Sequence, residues 1–536
     1  MKQPHTCGTA KQEANHPQLS SKFIGNRLIA VLRHSPTMPV VGLIEVVYVA
    51  WHYRIKYGRA WRAKQIALKL CYGDWGEAYE RLPVFLHALK AKNKGMHYEY
   101  VPDPEMWLDG RQIFFRAFWS FGQCIEAFKH CRDVISIDGT FLTGKYEGTL
   151  LIAIGIDANN QLLPLAFAIV EKEKNSSWSW FLRLVRKVVV GRGREICVIS
   201  DRHAGILNAV KEDIPGHGKV HHRWCSRHLA QNVIRHDGKK ELFDPFVSLC
   251  YETDETVFKK KLKMLKTKCN EKGKKFIDGI MNDKDKWSLA YDNGGKRSGI
   301  MTSNMAEIFN SLLKGVRCLP VTAIASFTFY KCNEWFVNRL ADVQKVISDH
   351  RDQIYAPLVD SELNKAEKLA ESMTGNCFDR SIGMCEINEG GGTTTGGERR
   401  GSRKFKVVVS RNSCSCGVPQ HKLFPCAHMI VACRLVGFNV QVPQRIPKFW
   451  TLQSMLNTWA PRFEPILDEE QWEPYDGPRY VANPAMRWKK RGPRRRTRFT
   501  MEMDRVHPGR SKRRRLGGSS FEVEDTHEVR CSKCHK

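Results

Sequence analysis

A chain of 536 residues exceeds the size at which one hydrophobic core stops growing, so more than one domain is expected. An apolar fraction of 42% is that of a globular protein, and a formal charge of +30 requires a polyanionic partner or a very basic tail. No apolar run is long enough to span a bilayer and the polar start MKQPHTCGTAKQ lacks the apolar stretch of a secretory signal, so a soluble, intracellular protein with no membrane partner is expected, whose 18 cysteines serve as buried thiols and metal ligands rather than disulfides.

From Ser20 to about residue 110 the pattern is helical, with EVVYVAWHYRIKYG and the long run from Ala60 carrying apolar residues at threes and fours. Next come β-branched runs broken by turn signals: RDVISIDGTFL, TLLIAIGIDANNQLLPLAFAIVE and EICVISD, with SWSWFLRLVRKVVV reading as a helix before the last. Three strands, a helix and a strand indicate a mixed α/β sheet within residues 111–345. A Lys-rich, helix-like stretch interrupts it at about 236–296, and NMAEIFNSLLKGV resumes it. Residues 346–400 read as a helix and a flexible linker through NEGGGTTTGGERRGS, residues 401–440 as a small Cys/His unit, and 441–473 as a connecting segment. The Pro-, Gly- and Arg-rich remainder, 474–536, reads as a disordered tail.

Two acids stand at strand ends. Asp138 closes VISID before Gly139, and Asp201 closes ICVIS. Aspartates ending neighbouring strands can share a divalent cation, for which hard oxygen ligands are suited, and such a site serves displacements at phosphorus. Strand-terminal Asp-Gly is equally a common turn element, so the pattern alone leaves both readings open.

The run FKHCRDVISIDGTFLTGKYEGTLLIAIGIDANNQLLPLAFAIVEKEKNSSWSWFLRLV, then VISDRHAGILNAV, HHRWCSRHLAQNV and SNMAEIFNSLL, resembles the catalytic domain of plant Mutator-like (MULE) transposases. The resemblance implies a ribonuclease H-like mixed sheet with a helical insertion, and an Asp-Asp-Glu triad at Asp138, Asp201 and Glu307 that would hold Mg²⁺ or Mn²⁺ for DNA strand cleavage and strand transfer. Without it, Glu307 reads as a solvated helix acid no more notable than Asp157, Glu171 or Glu173. Cys225 and His228 share a C-x₂-H spacing that could contribute to zinc binding. Two ligands from one segment leave two unaccounted for, so packing or substrate contact is the preferred reading, and the family motif makes them supporting residues.

In SCSCGVPQHKLFPCAH, Cys414, Cys416, Cys426 and His428 supply the four N/S ligands of a closed tetrahedral zinc site, with His421 and Cys433 as spare candidates. The spacing resembles the SWIM zinc finger that follows the catalytic domain in many such transposases. Fifteen Lys/Arg against two acids between Arg479 and Leu516 form a DNA-binding and nuclear-import candidate, with Lys489, Lys490, Arg491, Arg494, Arg495 and Arg496 in one cluster and Lys512, Arg513, Arg514 and Arg515 in the other. His5 and Cys7 in residues 1–19 resemble the last ligands of an N-terminal zinc finger, and Cys531 and Cys534 the first half of a zinc knuckle, so both ends look cut. The expectation is a nuclear transposase or transposase-derived protein that binds DNA and zinc, with self-association left open. The alternatives are a domesticated, non-catalytic DNA-binding regulator of the far-red-response type and an inactive fragment of an element.

Overall fold

The computed structural model describes residues 19–36, 38–292, 296–393, 399–440 and 445–488. Its centre is a seven-stranded mixed sheet made of β1 (His97–Leu108), β2 (Arg111–Ser120), β3 (Val134–Phe141), β4 (Thr149–Ile156), β5 (Leu162–Val170), β6 (Ile196–Ser200) and β7 (Val220–Trp224). The order across the sheet is β1-β2-β5-β4-β3-β6-β7. β3, β4 and β5 form an antiparallel meander, whereas β6 runs parallel to β3 and β7 parallel to β6. Every residue of TLLIAIGI and LLPLAFAIV is buried, as expected of central strands covered on both faces. The turn between them is closed by Asp157, whose Oδ1 accepts the N–H groups of Asn159 and Gln161, both at 2.8 Å.

The mixed sheet agrees with the sequence, and three of its strands were not foreseen. β1 and β2 form a hairpin on the β5 edge, at the end of the segment expected to be wholly helical, after five helices between Ser21 and Lys92. β7 supplies the far edge. On that side the helices Ser226–Asp237, Phe243–Cys250, Glu255–Lys268 and Glu271–Ile280 gather around a core of their own, in which Phe246 and Trp287 stack at 5.5 Å. Asp292 fastens this helical body to β7: its carboxylate takes Arg223 Nη2 at 2.6 Å and Arg297 Nε at 3.0 Å, all three groups being buried.

Two boundaries differ from expectation. The segment taken as helix and linker contributes the helix Pro357–Ala370 and the strands β8 (Thr374–Asp379) and β9 (Met384–Glu389). After the short pair β10 (Gly392–Thr393) and β11 (Arg399–Arg400), β9 pairs with β12 (Arg403–Val408), which in turn pairs with β13 (Ser413–Cys414). Cys385 and Ile387 point into this small sheet's core, an alternation too short to stand out beside the glycine run. Residues 474–488 also depart from the expected tail. Tyr480, Val481 and Ala482 are buried, Val481 N–H donates to Gln112 O at 3.0 Å, and Trp488 N–H to Lys145 O at 3.0 Å. The basic clusters from Lys489 to Arg515, and His5, Cys7, Cys531 and Cys534, lie outside the described residues.

Candidate metal centres

β3 and β6 are parallel neighbours with Ser136 opposite Ile199. Two residues further along each chain stand Asp138 and Asp201, so matched register carries both acids to the same end of the sheet. Asp138 does not close its strand as the sequence suggested, since β3 runs on through Gly139 and Thr140 to Phe141, whereas Asp201 follows the last residue of β6. Asp138 is 8% exposed. Its Oδ1 accepts the N–H of Gly139 at 2.9 Å and its Oδ2 the side-chain amide of Asn310 at 2.7 Å. The guanidinium of Arg317 is held beside it by a hydrogen bond to Thr140 Oγ1, and burial draws its pKa down against the opposing pull of the Asp138 charge. Asp201 is partly exposed and its Oδ1 accepts the N–H of His203 at 3.0 Å, which shapes the turn into the helix Ala204–Ala209. These hard carboxylate oxygens suit Mg²⁺ or Mn²⁺ by donor chemistry.

Glu307 lies in the first turn of the helix Asn304–Leu312, whose Met305, Ala306 and Phe309 are buried against the sheet. One turn on, Asn310 meets Asp138. Glu307 itself turns toward the insertion, with its Oε1 3.4 Å from His228 Nε2. Ligand atoms of Cys225, His228 and Glu307 all lie within 4.8 Å of one another. Asp138, Asp201 and Glu307 do not form a group by that measure. The carboxylates thus share one region of the sheet, while Glu307 closes with the C-x₂-H pair. Burial opposes protonation of His228, yet the charges of Cys225, Glu307 and Asp201 outweigh it and hold its pKa at about 10; reciprocally, the Cys225 thiol is lowered despite its own burial.

The remaining acids near the sheet separate cleanly. Glu171 is clamped by Arg116 at 2.9 and 2.8 Å, and Asp157 takes the indole N–H of Trp459 at 2.9 Å, so both are structural. Glu173 is different: its carboxylate lies over Gly139, where an added Cβ would come within 2.8 Å of Glu173 Cδ. Sequence reasoning named Glu173 without singling it out, and passed over Asn310 and Ser303. Only Asn310 left a signal, its i+3 spacing from Glu307 on an amphipathic helix.

The second centre is built by β13 and the start of the helix Ala427–Val436. Cys414, Cys416, Cys426 and His428 place a ligand atom each within 4.8 Å of the others. Cys414 Sγ and Cys426 Sγ lie 3.6 and 3.8 Å from His428 Nδ1. Tetrahedral bonding at about 2.3 Å to sulfur and about 2.0 Å to nitrogen sets ligand atoms roughly 3.5–3.8 Å apart, so the donors fit a zinc ion. Hydrogen bonds from the Cys414 and Cys426 thiols drive the Cys416 pKa far down, and Phe405 stacks on the His428 ring at 3.9 Å. Of the spare candidates, Cys433 is buried in the module's apolar core and His421 faces Asp292 and Arg297 of the insertion. Thr253 Oγ1, also of the insertion, donates to Cys416 O at 3.0 Å, and Gly417, with φ of +77°, leaves room for that approach.

The chain thus combines a mixed sheet bearing Asp138 and Asp201 on adjacent parallel strands with a compact Cys/His module. Residues 134–232 match the MULE transposase domain. The chain is similar to three proteins of Arabidopsis thaliana: Protein FAR1-RELATED SEQUENCE 5, 20% identical over 62% of this chain and 44% of the relative; Protein FAR-RED IMPAIRED RESPONSE 1, 19% over 62% and 42%; and Protein FAR1-RELATED SEQUENCE 2, 22% over 68% and 46%. The match of residues 134–232 to the MULE transposase domain is the one its motifs led one to expect, and the chain spans less than half the length of these relatives. No helix among the described residues is long and apolar enough to cross a membrane.

Proposed function

We propose that the chain is a nuclear, DNA-binding, transposase-derived protein whose central sheet is a ribonuclease H-like core with the capacity for metal-dependent phosphodiester cleavage. The observation that carries this reading is the position of Asp138 within β3 and of Asp201 just past β6, each two residues beyond the paired Ser136 and Ile199 of these adjacent parallel strands. The order β5-β4-β3-β6-β7, an antiparallel meander extended on its first strand by two parallel strands, supports the same core. Asp138 and Asp201 would hold a hard divalent cation, which when bound supplies an activated water and neutralises charge developing at phosphate. Asn310 and Gly139 N–H orient Asp138, and Glu307 stands one helical turn from Asn310. The zinc module would keep the surface beside the insertion in shape, and the basic clusters from Lys489 to Arg515 would hold phosphates. Strand transfer by a freed 3′-hydroxyl belongs to the same chemistry.

The test is nicking of DNA carrying a Mutator-like element's terminal repeats by the purified chain with Mg²⁺ or Mn²⁺. Loss of nicking in Asp138→Asn supports the reading; equal activity in that variant sinks the assignment of the acids. A second reading, a domesticated regulator that binds DNA without cutting it, is favoured by the engagement of Glu307 with His228 rather than with the aspartates, and by a relative named for an impaired far-red response. It requires DNA binding that is indifferent to Asp138→Asn and no nicking with either metal.

A further inference from the structure

We propose that Cys225, His228 and Glu307 form a second zinc site, separate from the Cys/His module and open at its fourth position. Cys225 is the residue before the helix Ser226–Asp237, and His228 follows one turn later on the same face. Spacing alone leaves that pair two ligands short. The fold supplies the third, because the insertion returns the chain so that Ser303 and Glu307 lie against residues 225–228.

Ser303 organises the group. Its backbone N–H donates to Cys225 Sγ at 3.3 Å, and its hydroxyl lies 3.2 Å from His228 Nδ1. With Nδ1 so engaged, Nε2 is the ring nitrogen left to bind a metal, and outer-sphere partners of this kind orient metal-binding histidines. His228 is 7% exposed, its Nε2 makes no hydrogen bond, and it points toward Glu307 Oε1 at 3.4 Å. This buried imidazole nitrogen is aimed between a thiol and a carboxylate, and the three ligand atoms lie within 4.8 Å of one another, the spacing a shared metal ion would use.

The donor set decides the metal. One thiolate, one imidazole and one carboxylate suit zinc and disfavour magnesium, which prefers oxygen throughout. A divalent ion would balance the thiolate and carboxylate charges. Three protein ligands, with the Glu307 side chain 36% exposed, leave one position facing outward, as in zinc sites that bind water or substrate. The charge of Asp201 also reaches His228. This site needs neither Asp138 nor Asp201, and in taking Glu307 it withdraws that acid from any cation those two would hold.

The experiment is zinc analysis of the purified full chain by mass spectrometry, with circular dichroism to confirm folding. Two zinc ions per chain are expected. Cys414→Ser with His428→Ala should remove one, and Glu307→Gln, at the partly exposed ligand, should weaken the other by roughly tenfold or more. As a second measurement, Co²⁺ added to the Cys414→Ser, Cys416→Ser, Cys426→Ser variant should still give a thiolate-to-cobalt absorption band that disappears with Cys225→Ser. A single zinc, lost with the Cys414 and His428 changes, together with no such band, overturns the proposal. A zinc lost only with Glu307→Gln supports it even where the module binds none.

Discussion

Asn310 donates its side-chain amide to Asp138 Oδ2 at 2.7 Å, joining a helix to the middle of a strand 172 residues earlier in the chain. The carboxylate oxygen retains a lone pair beyond the one this bond uses, so it can be steadied by Asn310 and still face a cation. Asn310→Ala should therefore weaken Mn²⁺ binding by about 10–100-fold, read by electron paramagnetic resonance of free Mn²⁺. Tighter binding in the variant would show instead that Asn310 masks the acid.

The Gly139 position is filled from above by Glu173. An added methyl would meet Glu173 Cδ and Oε1 at 2.8 Å, within a strand buried on both faces. Gly139→Ala is expected to destabilise the fold only modestly, by less than ~1 kcal/mol, because the atoms it meets are the far end of the flexible, half-buried Glu173 side chain. Gly139→Ala with Glu173→Ala should recover part of that loss in thermal unfolding. Additive losses in the double variant would refute the contact.

Docking of the Cys/His module rests on Thr253 and Gly417. Thr253→Val removes the hydrogen bond to Cys416 O and should cost ~0.5–1.5 kcal/mol. Gly417→Ala should cost more, since φ is +77° and the new Cβ would lie 2.6 Å from Thr253 Cβ. Limited proteolysis would then cut near residues 401–440 sooner in both variants. Unchanged cleavage would mean that the module does not depend on the insertion.

His222 gives an acid-side prediction. Burial, reinforced by the Lys286 charge, depresses its pKa to about 3, and its Nε2 sits 2.9 Å from Ser200 Oγ. In the unfolded chain the ring protonates near its ordinary value of about 6.5. Between those values the unfolded state binds the extra proton, so stability falls as the pH drops, by roughly 1.4 kcal/mol per pH unit at most. Urea unfolding of His222→Gln should show a shallower loss between pH 6 and 4. An unchanged slope would assign the acid sensitivity to other groups.

What could be read from the residues alone follows from how local each signal is. VISID and ICVISD are β-branched runs that reach an Asp, so both strands were visible, but β3 passes through Asp138 and ends only at Phe141. Cys414, Cys416, Cys426 and His428 come in two tight pairs, and no tertiary knowledge is needed to see them together. β1 was hidden because Pro102 and Pro104 interrupt HYEYVPDPEMWL, and the ladder does shift register at Val101/Pro102. Glu307 was marked only by resemblance, and its partner could not be read at all. Which of several neighbours a helix acid faces depends on the path of the whole insertion, and that path turns Glu307 to His228.

The return of residues 480–488 to the sheet has a consequence for anything bound by the basic stretch. Trp488 N–H is bonded to Lys145 O and Glu147 N–H to Met486 O, in the loop that links β3 to β4. The cluster opening at Lys489 is thereby leashed a few residues of chain from the strand that carries Asp138. A short tether of this kind converts a second encounter into an intramolecular one at millimolar effective concentration. A polyanion caught by Lys489–Arg491 would be held within a few residues of chain of the β3–β4 loop, however dilute it was in solution.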